Sequence, residues 1–390
     1  MREVYLDHNA TTPVDPEVWE AMRPYLRERF GNPSSVHQWG REARLAVEEA
    51  REQVAALLGA ADPQEIVFTS SGSEADNLAL KGIALANQER GNHIITSQIE
   101  HSAIIKTCHS LEKLGFRVTY LPVDRDGLVD PEAVRAAITD QTILISIMHA
   151  NNEIGTIQPI EEIGAIAREH GIPFHTDAVQ TVGKLPLTVR SLPIDLLSLS
   201  GHKLYAPKGI GALYIRRQSG VKMHSLISGG HQERSRRAGT ENVPGIVALG
   251  KACEIARQEM ATEVKRLEAL RNKLEEGMLA RIPHIRRNGH PVKRLPSTLH
   301  VSFLYIKGEA LVVRLDLEGI GVSTGSACST GSPEPSHVLT ALGLTPEEIQ
   351  GSVRWSLGKG NSEEDIDYVL EVLPPIVQQM REMSPLTPAI

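Results

Sequence analysis

The sequence is poor in cysteine and in long apolar runs, and each shortage excludes a class of protein. Three cysteines in 390 residues, with no Cys-x-x-Cys pair, make neither a disulfide framework nor a structural zinc site. Each cysteine therefore has to be read alone. No apolar run of about 18 residues occurs, so a membrane-spanning helix is not expected. The start, Met1-Arg2-Glu3-Val4-Tyr5-Leu6-Asp7-His8, lacks the apolar stretch of a secretion signal, and the expected location is the cytoplasm. A surplus of one charge is lacking too: the formal net charge of −7 is spread along the chain and leaves no footprint for nucleic acid or an anionic membrane. Expected partners are small molecules or proteins. Fifteen histidines are present, but there is no His-Glu-x-x-His and no paired Cys/His spacing, so no intrinsic metal centre is expected.

What remains is an ordinary globular composition, 41% hydrophobic and 23% charged, in a chain longer than one typical domain. From about Glu65 to Ile215 short apolar runs alternate with amphipathic stretches: Glu65–Thr69, His93–Ser97, Val118–Leu121, Ile143–Met148, Ile172–His175, Leu196–Leu199 and Ala212–Ile215. Apolar residues between them, such as Leu78, Ala79, Ile83 and Ala86, recur at helical spacing. The alternation predicts βαβ units and a mainly parallel sheet, in which ligands bind beyond the carboxyl ends of the strands. After about Ile255 the pattern changes to a long charged helix (Glu259–Leu279), a strand (Thr298–Phe303), a helix (Glu309–Glu318), a strand (Val353–Leu357) and a last helix, a smaller α+β unit. Within it residues 323–335, Ser-Thr-Gly-Ser-Ala-Cys-Ser-Thr-Gly-Ser-Pro-Glu-Pro, are small, polar and aperiodic, the composition of a mobile loop.

Ser198-Leu199-Ser200-Gly201-His202-Lys203 follows a buried strand, where partial burial lowers a lysine's pKa toward imine chemistry; the bland alternative is a surface lysine near a turn. Asp177 ends the preceding strand, in place to keep a pyridine nitrogen protonated or, in a dinucleotide fold, to hold a ribose. Ser70-Ser71-Gly72-Ser73-Glu74-Ala75-Asp76 opens a helix, with Ser73 expected as N-cap and Asp76 completing a capping box. The free N–H groups there also suit a phosphate monoester. Cys108 falls in step with Ile104, Ile105 and Leu111, and Cys253 with Leu249 and Ala256, which are core spacings. Cys328, in the Gly/Ser loop, has no apolar periodicity and is expected to be a reachable thiol.

Taken together the motifs resemble the cysteine desulfurases of the class-V aminotransferase family, which have the fold-type-I architecture of pyridoxal-phosphate (PLP) enzymes. The resemblance runs over nearly the whole chain: Tyr5-Leu6-Asp7-His8-Asn9-Ala10-Thr11-Thr12-Pro13, Gly31-Asn32-Pro33-Ser34-Ser35, Glu100-His101, Asn151-Asn152-Glu153-Ile154-Gly155, the Asp177 and Lys203 segments, Ala238-Gly239-Thr240-Glu241-Asn242 and Gly325-Ser326-Ala327-Cys328. It implies a PLP-binding large domain over 15–258 with a seven-stranded sheet, and a small domain from 1–14 and 259–390 carrying the loop at about 323–335. Lys203 would bear the cofactor, Asp177 face the pyridine nitrogen, and His101 stack on the ring and help move protons. Gln180 and Asn152 would contact the phenolic-oxygen side. Gly72, Ser73, Ser200 and His202 would hold the phosphate, with Thr240 from a second subunit of a homodimer. Arg354 and Asn152 would bind the substrate L-cysteine, Arg354 by its bidentate fork, though on its own residues Arg354 also reads as a salt-bridging arginine. Cys328 would take the sulfur as a persulfide and pass it to an iron–sulfur scaffold or another acceptor protein, and could transiently ligate a cluster held by that partner. The family's usual threonine in the phosphate loop is Ser73 here, which keeps the hydroxyl.

Other chemistries stay open at this point. Gly321-Val322-Ser323-Thr324-Gly325 matches a nucleophile elbow, but a Ser/Gly stretch rather than a helix follows it. Transamination, selenocysteine lysis or kynurenine hydrolysis would use the same scaffold, and so would a PLP-binding assembly platform. Cys328 and the full set of site residues favour desulfuration.

Overall fold

The computed structural model describes residues 2–324 and 335–385. Its strands, in chain order, are β1 (Val4–Tyr5), β2 (Ile66–Thr69), β3 (His93–Ser97), β4 (Arg117–Leu121), β5 (Thr142–Ser146), β6 (Phe174–Asp177), β7 (Leu196–Ser200), β8 (Gly211–Ile215), β9 (Ile285–Asn288), β10 (Thr298–Phe303), β11 (Ile320–Gly321) and β12 (Ser352–Ser356). Seven of them form one sheet in the order β2-β8-β7-β6-β5-β3-β4. All neighbouring pairs are parallel except those of β8, which runs antiparallel to both β2 and β7. Every residue of β2, β3, β5, β6, β7 and β8 is buried, as expected for a sheet covered on both faces, and only the edge strand β4 meets solvent. The sequence places these strands to within a few residues; β6 begins two residues later than its apolar run and so ends on Asp177 itself.

A second sheet, β12-β10-β9, is antiparallel, and β1 pairs in parallel with β11. The helix expected from Glu259 starts instead at Val243 and runs to Arg281. Its first part, Val243–Ile255, is apolar and packs in the core of the large sheet, which hides its charged periodicity; Leu270, Leu274 and Met278 pack in a separate core with β10 and β12. Two helices that periodicity did not reveal, Pro16–Arg27 and Gln38–Leu58, pack against this long helix.

The helix Gly72–Ala86 corrects one local expectation. Its N-cap is Ser71, not Ser73: the Ser71 side chain accepts the Glu74 N–H at 3.1 Å. Glu74, rather than Asp76, reaches back to the chain before the helix, accepting the Ser70 N–H at 2.7 Å, and is held by Arg237 at 2.8 Å. The frame slips by two because Ser71 and Ser73 are the same cap type by sequence. The consequence is that Asp76 is released from the cap and turns into the protein interior, 1% exposed.

Candidate active site

The carboxyl ends of β2, β3, β5, β6 and β7 open on one cleft of about 600 Å³. It brings together Gly72, Ser73, His101, Asn152, Asp177, Gln180, Ser200, His202, Lys203 and Arg354. Thr240 is exposed and does not line the cleft of its own chain. It follows a bend at Glu233, Arg234 and Ser235, three consecutive non-glycine residues with positive φ. Such backbone costs about 1–3 kcal/mol per residue and persists only when over-determined by its surroundings; here Glu233 is clamped by both Arg51 Nη atoms at 2.8 Å and by the Phe68 N–H at 2.9 Å. Cys328 lies outside the described residues.

Lys203 ends a single turn, Gly201–Lys203, directly after β7. Its Nζ donates to the carbonyls of Asn9 and Ala10, each at 2.6 Å, and Gln180 Nε2 donates to the same Asn9 carbonyl at 3.1 Å. Asp177 Oδ1 accepts the Val179 N–H at 2.9 Å. Burial pushes the Asp177 carboxyl up, opposed by His101, by that N–H and by the Lys203 charge. His101 caps the helix Ser102–Glu112, its Nδ1 accepting the Ala103 N–H at 3.1 Å, so that a neutral ring carries its proton on Nε2. His202, pushed down to about 4 by burial and the Lys203 charge, is neutral near pH 7.

Gly72 is required by space rather than by φ. A Cβ there would stand 2.8 Å from Val179 Cγ2 and 3.2 Å from Ser200 Cβ, in the hollow between the helix start and β7. Open backbone N–H groups, the hydroxyls of Ser73 and Ser200 and the dipole of a 15-residue helix suit a phosphate in that hollow. With Asp177 and Lys203 lining the same cleft, the donor set fits PLP.

On the opposite wall Arg354, from β12, is 2% exposed; Nη2 pairs with Asp7 Oδ1 at 2.7 Å and Nη1 donates to the Asn152 carbonyl at 3.0 Å. Asn9 Nδ2 reaches the same carbonyl at 3.2 Å and Thr298 Oγ1 at 2.9 Å. The described residues on either side of 325–334 also meet this wall. Ser323 bridges Arg354 in antiparallel fashion, while Ser336 Oγ donates to Glu153 at 2.7 Å and His337 Nε2 approaches the Glu100 carbonyl at 2.9 Å. The sequence pointed to no role in the site for Asp7, Asn9, Glu100 or Glu153, and assigned Asp76 only to the helix cap. The burst of polar residues after Val4-Tyr5-Leu6 was the available signal for the first two; nothing local marks the others. Glu100 is fully buried between Ser97 Oγ (2.6 Å) and the Met148 N–H (3.0 Å), and burial pushes it up to about 8.

The family described as Aminotransferase class-V matches residues 4–369. The chain belongs to that family, and its α/β architecture around a large, mostly parallel sheet is that of fold type I. It is 55% identical over 384 residues to the protein named Cysteine desulfurase IscS of Dictyoglomus turgidum, covering 98% of this chain and 97% of that one. It is 58% identical over 387 residues to the Cysteine desulfurase IscS of Methanosarcina thermophila, covering 99% and 95%. A solved structure titled "NIFS-LIKE PROTEIN" superposes with a TM-score of 0.91 at 43% identity, over 97% of this chain and 100% of that one. Another, "SspA in complex with cysteine", gives a TM-score of 0.81 at 43% identity, over 91% and 98%. Within its family the chain is a PLP-dependent cysteine desulfurase.

Proposed function

We propose that Lys203, Asp177 and His101 run the cofactor chemistry of this desulfurase and that Cys328 receives the sulfur. The observation that carries the reading is the convergence of those first three residues with Arg354 on one cleft at the strand ends. Bound PLP supplies an electron sink at the substrate's Cα. Lys203 Nζ would hold the cofactor and, as a free amine, would take the substrate's Cα proton. Asp177 keeps the ring nitrogen protonated, Gln180 and Asn152 orient the phenolic-oxygen side, and Gly72, Ser73, Ser200 and His202 seat the phosphate. Arg354 and Asn152 orient the substrate carboxylate. The Cys328 thiolate then attacks the substrate sulfur: a new S–S bond forms, the substrate C–S bond breaks, its electrons return to carbon, and protonation yields alanine with a persulfide on Cys328. A free thiol has pKa about 8.5, so a small thiolate fraction is available near pH 7. Support for the Cys328 role is that Ser323 and Ser336, flanking its segment, both meet the cleft wall.

The same reading makes the enzyme a homodimer in which Thr240 reaches the partner's phosphate site. Its support is the run of exposed large apolar side chains Trp19, Leu26, Phe30, Val36, Trp39 and Leu45, an unusual density for a monomer surface. It also divides the chain into 15–258 and 1–14 with 259–390, supported by the two separate cores that share the helix Val243–Arg281. The sulfur acceptor would be an iron–sulfur scaffold or another acceptor protein, met in the cytoplasm. Among the described residues no helix is long and apolar enough to cross a membrane. Titrating L-cysteine against the purified protein tests the reading: alanine and sulfide in equal amounts are expected with reductant, whereas amino-group transfer without sulfide would reject it.

A further inference from the structure

Two carboxyls lie together at the floor of the cleft, and the proposed function uses only one of them. Asp76, released from the helix cap, is 1% exposed and lines the cleft beside Asp177. A carboxyl oxygen of Asp76, a ring nitrogen of His101 and a carboxyl oxygen of Asp177 lie within 4.8 Å of one another. Two negative charges that close in a water-poor site cannot both form without large cost, and such pairs share a proton.

The surroundings decide which acid keeps it. Asp177 has His101, the Val179 N–H at 2.9 Å and the Lys203 charge to favour its ionised form. Asp76 faces Asp177 and His175 on β6, Ser198 on β7, and Glu100 and His101 beyond β3. Asp177 and Glu100 both oppose its ionisation, and Ser198 supplies one hydrogen bond. His175, 3.8 Å away, gives no charge: its ring bonds Ser146 Oγ and Ser198 Oγ at 2.9 Å each, and burial pushes it down to about 3. Asp76 Oδ1 has no hydrogen-bond partner among the described residues. An orphaned oxygen is costly on a carboxylate and tolerable on a neutral acid. Burial first, and the Asp177 charge second, hold Asp76 well above the ordinary carboxylate range.

We propose that Asp76 keeps a proton at neutral pH and is a positioning residue for Asp177, so that the floor of the cleft presents one negative charge to the ring nitrogen instead of two. The inference rests on the proposed role of Asp177, and its test separates the two. Holoenzyme labelled with ¹³C at aspartate side-chain carboxyls is measured by infrared spectroscopy, which sets aspartate apart from Glu100. The isotope-shifted C=O stretch of a protonated acid is expected across the neutral range in the native protein and lost in Asp76→Asn. Its absence from the native protein, or its survival in Asp76→Asn, overturns the proposal. In the same variant loaded with ¹⁵N-labelled PLP, the ring-nitrogen shift should stay that of a pyridinium, since an amide replaces a neutral acid; a move toward neutral pyridine would show that Asp76 had carried charge, and overturns it too. An unchanged pyridinium shift in Asp177→Asn would instead reject the ring-nitrogen role of Asp177, while loss of the infrared band in Asp76→Asn would still support the retained proton. The native band measured against pH needs no variant to fold.

Discussion

The two walls of the cleft are built by different means. The floor comes from neighbouring strands of one sheet: Asp177 is paired with Ser198 across β6 and β7, and Lys203 follows five residues on. Main-chain ladder bonds fix these positions before any side chain contributes. The opposite wall joins segments that are remote in sequence, through side chains: Arg354 to Asp7 across 347 residues and Asn9 to Thr298 across 289. A floor set by backbone pairing should hold its cofactor through changes in the far wall. A wall set by a few charged hydrogen bonds should lose substrate when one of them is altered.

That contrast breaks most visibly at Lys203. Lys203→Ala is expected to abolish both turnover and the visible absorption of lysine-bound PLP; an unchanged spectrum would move the cofactor elsewhere. Asp177→Asn should retain PLP yet slow Cα-proton removal on the order of a hundredfold or more, because a neutral amide does not stabilise the pyridinium. Stopped-flow absorbance with deuterated cysteine reads that step, and near-native rates would remove Asp177 from the ring nitrogen. Arg354→Lys sharpens the comparison from the other wall. Losing a bidentate charged contact worth about 1.5–3 kcal/mol should raise KM for cysteine roughly 10- to 100-fold while leaving the PLP spectrum in place. A lost spectrum would mean that the walls are not separable.

The smallest effect concerns Glu100. Its folded value near 8 lies above the unfolded value of about 4.3, so the native state binds a proton that the unfolded chain releases between those limits. Its contribution to stability is full below about pH 4 and fades as pH rises toward 8. Glu100→Gln removes that dependence, so its Tm relative to the native protein should rise from pH 5 to about pH 8; a flat or falling difference would show Glu100 ionised.

The same contrast explains what the sequence disclosed. The positions of Asp177 and Lys203 at strand ends were legible because a buried strand followed by a polar residue is a local pattern, and strand ends are where such sheets bind ligands. Asp7 and Asn9 were not, because their partners Arg354 and Thr298 are reached only by closing the chain on itself. Asp76 was misread for a subtler reason: the two-residue slip from Ser73 to Ser71 as the cap moved it from the cap to the interior. The helix from Val243 was shortened because its first half, buried in a core, lacks the charged face that marks its second half.

Sulfur transfer to Cys328 is the central claim, and the three cysteines offer an internal control. Cys108 and Cys253 are fully buried, and burial pushes both thiols up to about 12, so neither forms an appreciable thiolate at neutral pH. Peptide mass spectrometry after a single turnover with cysteine, without reductant, tests the claim most directly. One added sulfur on the peptide containing Cys328, with Cys108 and Cys253 unmodified and no such product in Cys328→Ser, is the expected result; sulfur on either buried cysteine, or native-rate desulfuration by Cys328→Ser, would contradict it.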